Sequence, residues 1–399
     1  MSKDSKTVPS SATTLPVAAD FTDDLIRALN KERGAQVAYN LSRDVSPVHV
    51  DRWVSTGSRQ LDYIVSNRPN GGLPVGRVIE IFGPPSIGKS HLATQIAKST
   101  QLAGGIVVYF DTENAMSVEN LELLGVDISE RFVYVDTHCT EEFFEIAEAT
   151  ILRAKAATKD VPVTIIWDSV AGTSPKMELE GDYDKDSMGL QARVIAKGMR
   201  KITGIISNER VLFVCLNQEK SAVGIVYGDP TFVPGGKAIP YHATTRIRLG
   251  AGQQIKTAKG DVVGIHVWSK TIKNKISPPF RKVEFDIIFG VGIREHEQIF
   301  DLMREHGPEV IDGHVVHVHG DSAWKDVSVK KAGKVILEKK FNKSKFDEVL
   351  EDPKYKHFLD ALLERIMVKK VRDEAADVDP TSLVELKAVV DELQVSTAT

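Results

Sequence analysis

Gly83-Pro84-Pro85-Ser86-Ile87-Gly88-Lys89-Ser90 is the stretch from which the rest of the chain can be read. It fits G-x-x-x-x-G-K-[ST] at every fixed position. Backbone N–H groups that wrap a polyphosphate need glycines at the tight bends. A helix N-terminus then adds partial positive charge, and Lys89 adds a full one. The flanks agree: the apolar run Val78–Phe82 directly precedes the loop, and a helical pattern with Leu92 and Ile96 directly follows. Strand, loop and helix in that order make residues 83–90 a site for a nucleoside triphosphate, with the Ser90 hydroxyl placed for Mg²⁺.

Such a loop needs a second carboxylate for the metal. Val163-Thr164-Ile165-Ile166-Trp167-Asp168 sets Asp168 at the C-terminal end of an apolar strand, where α/β sheets hold their ligands. Hydrolysis also needs a group that orients or deprotonates water. The run Ile106–Phe110 ends in Asp111-Thr112-Glu113, which places Glu113 at a neighbouring strand end.

Outward from the loop, short apolar runs alternate with helical stretches. The runs are Val78–Phe82, Ile106–Phe110, Val133–Val135, Val163–Trp167 and Val211–Leu216, and between them lie helical patterns over Lys89–Ala103, Thr140–Ala157 and Gly189–Ile206. Runs apolar on both faces predict a mostly parallel sheet covered on both sides. Thr245–Leu249, Val262–Ile272 and Val283–Phe289 follow with little helix between them and read as antiparallel additions to one edge. The expected fold is α/β, with a core over 51–290.

The flanks differ in composition. Residues 1–20 are rich in Ser, Thr, Ala and Pro and read as a flexible tail; 21–50 carry a short helical pattern around Leu25, Ile26 and Leu29, too small to bury its own stripe. Residues 291–370 are rich in Lys, Glu and His, with one clear helix near Phe358–Met367, and read as a small second domain. Residues 371–399 form an acidic tail.

Bulk properties narrow the class further. The net charge of −4 announces no overall basic field, and two cysteines, Cys139 and Cys215, cannot form a disulfide framework. No apolar run approaches a membrane span and no secretory h-region opens the chain, so a reducing cytoplasm, bacterial or phage-infected, is expected.

The order Gly83–Ser90, Asp111-Thr112-Glu113, Asp168-Ser169, Asn217-Gln218 resembles the RecA recombinase core. So do Ser55-Thr56-Gly57-Ser58 with Gly71-Gly72-Leu73-Pro74, the helix opening Met188-Gly189-Leu190-Gln191-Ala192-Arg193, and Lys273-Asn274-Lys275-Ile276-Ser277-Pro278-Pro279-Phe280. The resemblance is dense over 50–290 and thin beyond 291. It implies a RecA-like P-loop ATPase using ATP and Mg²⁺, with a small N-terminal oligomerisation element and a small α/β C-terminal domain. Glu113 then matches the carboxylate that activates water. Gln218 matches the residue that senses the γ-phosphate and couples it to the following loop. Lys273 and Lys275 match lysines that reach the ATP of the adjacent subunit, so the site is completed between neighbours of a helical homo-filament. Taken alone, a lysine pair on a strand end is a solvated face.

The resemblance also implies DNA contact through two loops, 178–188 and 219–236. Met188 and Val223 stand at positions that wedge between base triplets of single-stranded DNA, with Gly189, Lys220, Gly224, Gly235 and Gly236 around them. Wedging uses stacking surface and backbone amides more than net charge. Arg193 and Arg200, seven apart on one helical face, can add phosphate contacts, or pair within the chain. Homologous double-stranded DNA, and single-strand-binding or mediator proteins, are the further partners such a filament has.

Four features depart from the pattern or stand outside it. The family's adenine-stacking tyrosine falls at Asn120 and a nearby aspartate at Ser117, while an aromatic subunit-contact position is kept as Tyr241. Lys325–Lys345 holds eight lysines against two acidic residues, either a solvated face or a duplex-DNA surface that the acidic tail could gate. His317 and His319 share a strand face near His314, which raises a metal site that no third ligand at sensible spacing supports. The expected activity is ATP-dependent pairing and strand exchange in recombination and DNA repair. The alternatives are a RecA-fold helicase or repair translocase, and a filament protein that uses nucleotide only to polymerise.

Overall fold

The structure is a computed structural model that describes residues 18–44, 46, 48–157, 160–182, 189–221, 231–320 and 324–369. The chain divides into two compact units, one up to Asp51 and one from Arg52. In the first, helix α1 (Ala18–Arg33) is followed by an extended stretch held by Asn30. The Asn30 side chain accepts from the backbone N–H of Val37 and of Ala38, each at 2.8 Å, and donates to Ala38 O at 3.0 Å. Arg43 pairs with Asp23 within the same unit. Phe21, Leu25 and Leu29 are exposed on α1.

The second unit opens with β1 (Trp53–Val54), α2 (Arg59–Ser66), β2 (Leu73–Pro74), β3 (Val78–Gly83) and α3 (Lys89–Leu102). It continues with β4 (Ile106–Asp111), α4 (Val118–Leu123), β5 (Phe132–Val135), α5 (Thr140–Ala157), β6 (Val163–Asp168), α6 (Lys176–Leu179), α7 (Leu190–Asn208) and β7 (Val211–Gln218). A short pair, β8 (Lys220–Ser221) and β9 (Thr231–Phe232), precedes α8 (Ala238–His242) and the long strands β10 (Thr245–Lys256), β11 (Val262–Asn274) and β12 (Lys282–Ile288). The last part holds β13 (Gly292–Arg294), α9 (His296–His306), β14 (Glu309–Ile311), β15 (His314–His319), β16 (Trp324–Lys331), β17 (Lys334–Asn342), α10 (Phe346–Leu350) and α11 (Lys356–Met367).

Nine strands join in the order β13-β12-β11-β10-β3-β7-β6-β4-β5. From β10 to β5 neighbours are parallel, and from β10 to β13 they are antiparallel. The fold is the α/β class expected, with the antiparallel additions on one edge. Apolar residues recur along each covering helix at helical spacing, as Ile195, Met199, Ile202 and Ile206 do on α7. On the α5/α7 face Phe143 stacks on Trp167 with ring centroids 3.9 Å apart. A Cβ on Gly198 would lie 2.3 Å from the Phe144 ring, so a glycine there lets α7 sit close to α5.

Beyond β13, a four-stranded antiparallel sheet in the order β14-β15-β16-β17 packs Val316, Val318, Val327 and Val329 against the apolar faces of α9 and α11. The sequence pattern shows one helix in this region. The structure adds α9 and α10, whose buried apolar residues are few: Ile299, Phe300 and Met303 on α9, and Phe346, Val349 and Leu350 on α10. Residues 176–179, part of which the pattern leaves without helix, form α6. No described helix is long and apolar enough to cross a membrane.

Candidate nucleotide and DNA site

The loop 83–90 joins β3 to α3 at the C-terminal edge of the sheet, and the ends of β4, β6 and β7 lie along the same edge. Gly88 has φ +93°, a conformation that side-chain-bearing residues rarely adopt, and a Cβ there would meet the end of the Ile287 side chain at 2.3 Å. Lys89 Nζ donates to Gly83 O at 3.2 Å and to Pro84 O at 2.7 Å. Burial pulls the Lys89 ammonium below the usual lysine range, opposed by the charges of Asp168, Glu113 and Glu219. Pro85, Ser86, Gly88, Lys89 and Ser90 line a cleft of about 350 Å³ together with Glu113, Asp168 and Gln218.

The carboxylates in this cleft are held by uncharged donors. Tyr109 OH donates to Asp168 Oδ2 at 2.6 Å, and Ser90 lines the same cleft as this carboxyl group. Burial raises the Asp168 carboxyl above its ordinary value, and the Tyr109 and Ser90 hydroxyls oppose the rise. Ser169 Oγ donates to Glu113 Oε1 at 2.5 Å, and Gln218 Nε2 donates to the same oxygen at 2.9 Å. Asp111 accepts the Met116 N–H at 2.9 Å and shapes the turn that carries Glu113. The Asp168–Ser169 peptide is cis.

These donors fit Mg²⁺, a hard cation that takes oxygen ligands and keeps several waters. Ser90 and Asp168 line the cleft together with Lys89, so a hydroxyl and a carboxylate are available where the loop turns into α3. Among the described residues no group of three or more His, Cys, Asp or Glu side chains is arranged to hold a metal. That includes His314, His317 and His319, although the last two rings lie 4.5 Å apart.

The model of the RecA N-terminal domain matches residues 22–294. The chain belongs to the RecA family. It is 35% identical over 297 residues to "Protein RecA" of Symbiobacterium thermophilum, covering 74% of this chain and 81% of that protein. The corresponding protein of Chloroherpeton thalassium is 38% identical over 283 residues, covering 71% and 75%. That of Chlamydia pneumoniae is 34% identical over 339 residues, covering 84% and 90%.

Other residues singled out on RecA resemblance lie elsewhere on the fold. Lys273 pairs in register with Arg246, which pairs with Glu80, three residues before Gly83. Lys273 and Lys275 thus lie toward the end of the sheet opposite its own phosphate loop. Lys273 Nζ donates to Pro240 O at 2.7 Å and to Tyr241 O at 3.0 Å, beside an exposed Tyr241 ring.

Of the DNA-contact candidates, Met188, Val223 and Gly224 lie outside the described residues. Gly189 stands at the N-terminus of α7 with φ +73°. Arg193 and Arg200 are exposed on α7, and among the described residues neither forms an ion pair. Lys220 is exposed and pairs with Phe232 across β8 and β9. Gly235 and Gly236 return the chain to the core, where a Cβ on Gly236 would lie 2.9 Å from Ala192 Cβ. In the C-terminal part, Lys339 pairs with Asp352, Lys343 with Asp301 and Lys345 with Glu348. Lys325 Nζ bonds Gly320 O, and Lys330, Lys331, Lys334 and Lys340 are exposed.

Several residues in or beside the cleft were given no role in the sequence reading. Ser169 and Tyr109 carried a local signal, since each sits within two residues of a carboxylate already named. Ile265, Ile287 and Phe289 also line the cleft, and only the register of β10, β11 and β12 against β3 brings them there. Ser117 and Asn120 border an adjoining cavity of about 140 Å³ with His91, Thr94 and Met116. Ser117 Oγ caps α4 by accepting the Asn120 N–H at 3.1 Å.

Proposed function

We propose that this chain is an ATP-dependent recombinase that forms helical filaments on single-stranded DNA and catalyses homologous pairing and strand exchange. The observation that carries the reading is the Gln218–Glu113 hydrogen bond. Gln218 ends β7, and the segment 219–236 begins at the next residue, so one bond joins the carboxylate beside the phosphate loop to a proposed DNA loop. In the reaction, Glu113 accepts a proton from the attacking water. Ser169 and Gln218 both occupy its Oε1, which leaves Oε2 for that water. Residues 83–88 and Lys89 bind the triphosphate, and Ser90 and Asp168 hold Mg²⁺, which when bound neutralises charge on the transferred phosphoryl group.

The site is completed by a neighbour. Lys273 and Lys275 lie toward the far end of their own sheet, a placement that supports their reaching the ATP of the next subunit rather than their own. The N-terminal element over 21–50, with Phe21, Leu25 and Leu29 exposed, serves that assembly. Loops 178–188 and 219–236 hold the single strand, with Arg193 and Arg200 on its phosphates. The lobe over 291–370 captures the homologous duplex through its exposed lysines, gated by the acidic tail 371–399. The setting is a bacterial or phage-infected cytoplasm, where single-strand-binding and mediator proteins are its partners.

Imaging with single-stranded DNA and a non-hydrolysable ATP analogue tests the reading. Helical filaments are expected, together with strand exchange that requires a homologous duplex. Closed rings, or duplex unwinding without homology, would sink it.

A further inference from the structure

Tyr109 lies within the sheet on β4, 2% exposed, with its ring stacked on Phe132 at a centroid distance of 5.9 Å. In the parallel pair β4/β6, Tyr109 is level with Ile166, and Asp168 lies two residues further along β6. Residues two apart share a sheet face, and strand side chains lean along the strand. The phenol therefore spans one pleat and delivers its hydroxyl to Asp168 Oδ2 at 2.6 Å.

We infer that Tyr109 is a positioning residue for the divalent cation, acting through Asp168. A carboxylate at a strand end can turn about its own bonds, and a cation is bound well only when the oxygen offered to it points one way. Tyr109 takes one oxygen with a short bond from a ring that packing holds still, and so fixes the carboxylate plane beside Ser90. An uncharged donor does this without placing a cation next to the metal. Asp111, on the same face of β4, is engaged with the backbone of 113–116 and does not do this work. The inference rests on the reading of this cleft as a Mg²⁺–nucleotide site.

Tyr109→Phe removes one oxygen and keeps the ring against Phe132. The test is Mn²⁺ binding to the full chain with ADP present, followed by electron paramagnetic resonance, beside the affinity for a fluorescent ADP analogue in EDTA. A hydrogen bond to a charged group predicts Mn²⁺ affinity weaker by about tenfold. Metal-free nucleotide affinity should stay within about twofold of wild type, since that binding does not pass through Asp168. In an Asp168→Asn background, Tyr109→Phe should change neither quantity.

Unaltered Mn²⁺ affinity in Tyr109→Phe would overturn the inference, as would an equal loss of metal-free nucleotide binding. Wild-type protein that binds neither Mn²⁺ nor nucleotide would instead overturn the underlying reading of the cleft. Should Tyr109→Phe fold poorly by circular dichroism, a fluorinated tyrosine at 109 keeps the ring and strengthens the donor. Mn²⁺ affinity must then hold or tighten, and a loss would count against the inference.

Discussion

Arg246 Nε meets Glu80 Oε2 at 2.5 Å between the neighbouring strands β10 and β3, with Glu80 fully buried. The other Glu80 oxygen accepts from Asn217 Nδ2 at 3.4 Å, and that same amide donates to Pro234 O at 3.0 Å. A buried ion pair therefore ties the strand of the phosphate loop both to the strand end that carries Gln218 and to the returning end of the segment 219–236. Cutting one partner leaves the other charged and buried, which costs about 3–5 kcal/mol. Arg246→Ala is expected to lower the unfolding free energy from urea titration by that much, seen as a fall in the urea midpoint. A double change to apolar residues of similar size should restore most of it. Equal losses for the single and double variants would contradict this account.

Glu113→Gln keeps the size of the side chain and removes its basicity. ATP hydrolysis should fall by about a hundred- to ten-thousand-fold, the usual worth of a general base. Affinity for a fluorescent ATP analogue should change little, because the proposed triphosphate contacts are Lys89 and the loop amides. Phosphate release read beside nucleotide binding checks the split, and residual turnover near wild type would assign the base elsewhere.

Gln218→Ala breaks the bond to Glu113 while leaving the β7 backbone in register with β3. The expected loss is in coupling. Single-stranded DNA should bind the variant equally with ATP analogue and with ADP, whereas wild type should favour the analogue several-fold, on the order of the coupling energies typical between linked sites. Fluorescence anisotropy of labelled DNA with each nucleotide measures this, and a nucleotide preference equal to wild type would remove Gln218 from the coupling.

Asp62 is partly buried on α2 and accepts from Ser55 Oγ at 2.5 Å and Thr56 Oγ1 at 2.7 Å. Burial pushes its carboxyl up to about 7 from an ordinary value of 3.8, and burial raises the nearby Glu295 carboxyl too. Between those two values the folded chain keeps a proton that the unfolded chain has released, so stability falls as pH rises across that interval. The loss is on the order of a few kcal/mol. Asp62→Asn should flatten this slope when urea midpoints at about pH 4.5 and pH 7.5 are compared. A slope unchanged from wild type would place the titration elsewhere.

Much of the phosphate side of the cleft was legible because its chemistry is local. Eight consecutive residues make the loop, and Glu113 and Asp168 each follow an uninterrupted apolar run that marks a strand end. The opposite wall was not legible. Ile265, Ile287 and Phe289 reach the loop through long-range strand pairing, and nothing in their own neighbourhood separates them from ordinary strand residues. Helix α9 escaped for a related reason. Its apolar stripe is only Ile299, Phe300 and Met303, and Glu295 before it makes no side-chain cap on α9 but instead receives the Ser58 hydroxyl and the Arg59 N–H of α2. A residue that serves a helix more than two hundred positions away leaves no start signal for its own.

The proposed sharing of the site between subunits makes the most discriminating prediction. Lys273→Ala with Lys275→Ala should leave nucleotide binding by single subunits near wild type, since both lysines lie toward the far end of the sheet from their own loop, and should abolish DNA-stimulated hydrolysis. Glu113→Gln should all but remove hydrolysis from the other side of the same proposed interface. Mixed in equal amounts, the two inactive proteins form heterologous contacts in which about a quarter of the interfaces join an intact Glu113 to intact lysines. Activity should therefore reappear on mixing, as a DNA-stimulated rate approaching about a quarter of wild type if each interface acts alone. Were the lysines to serve their own subunit, every site in the mixture would lack either Glu113 or the lysine pair, and mixing would restore nothing. A steady-state phosphate assay on the mixture, with each protein alone as control, decides between the two arrangements.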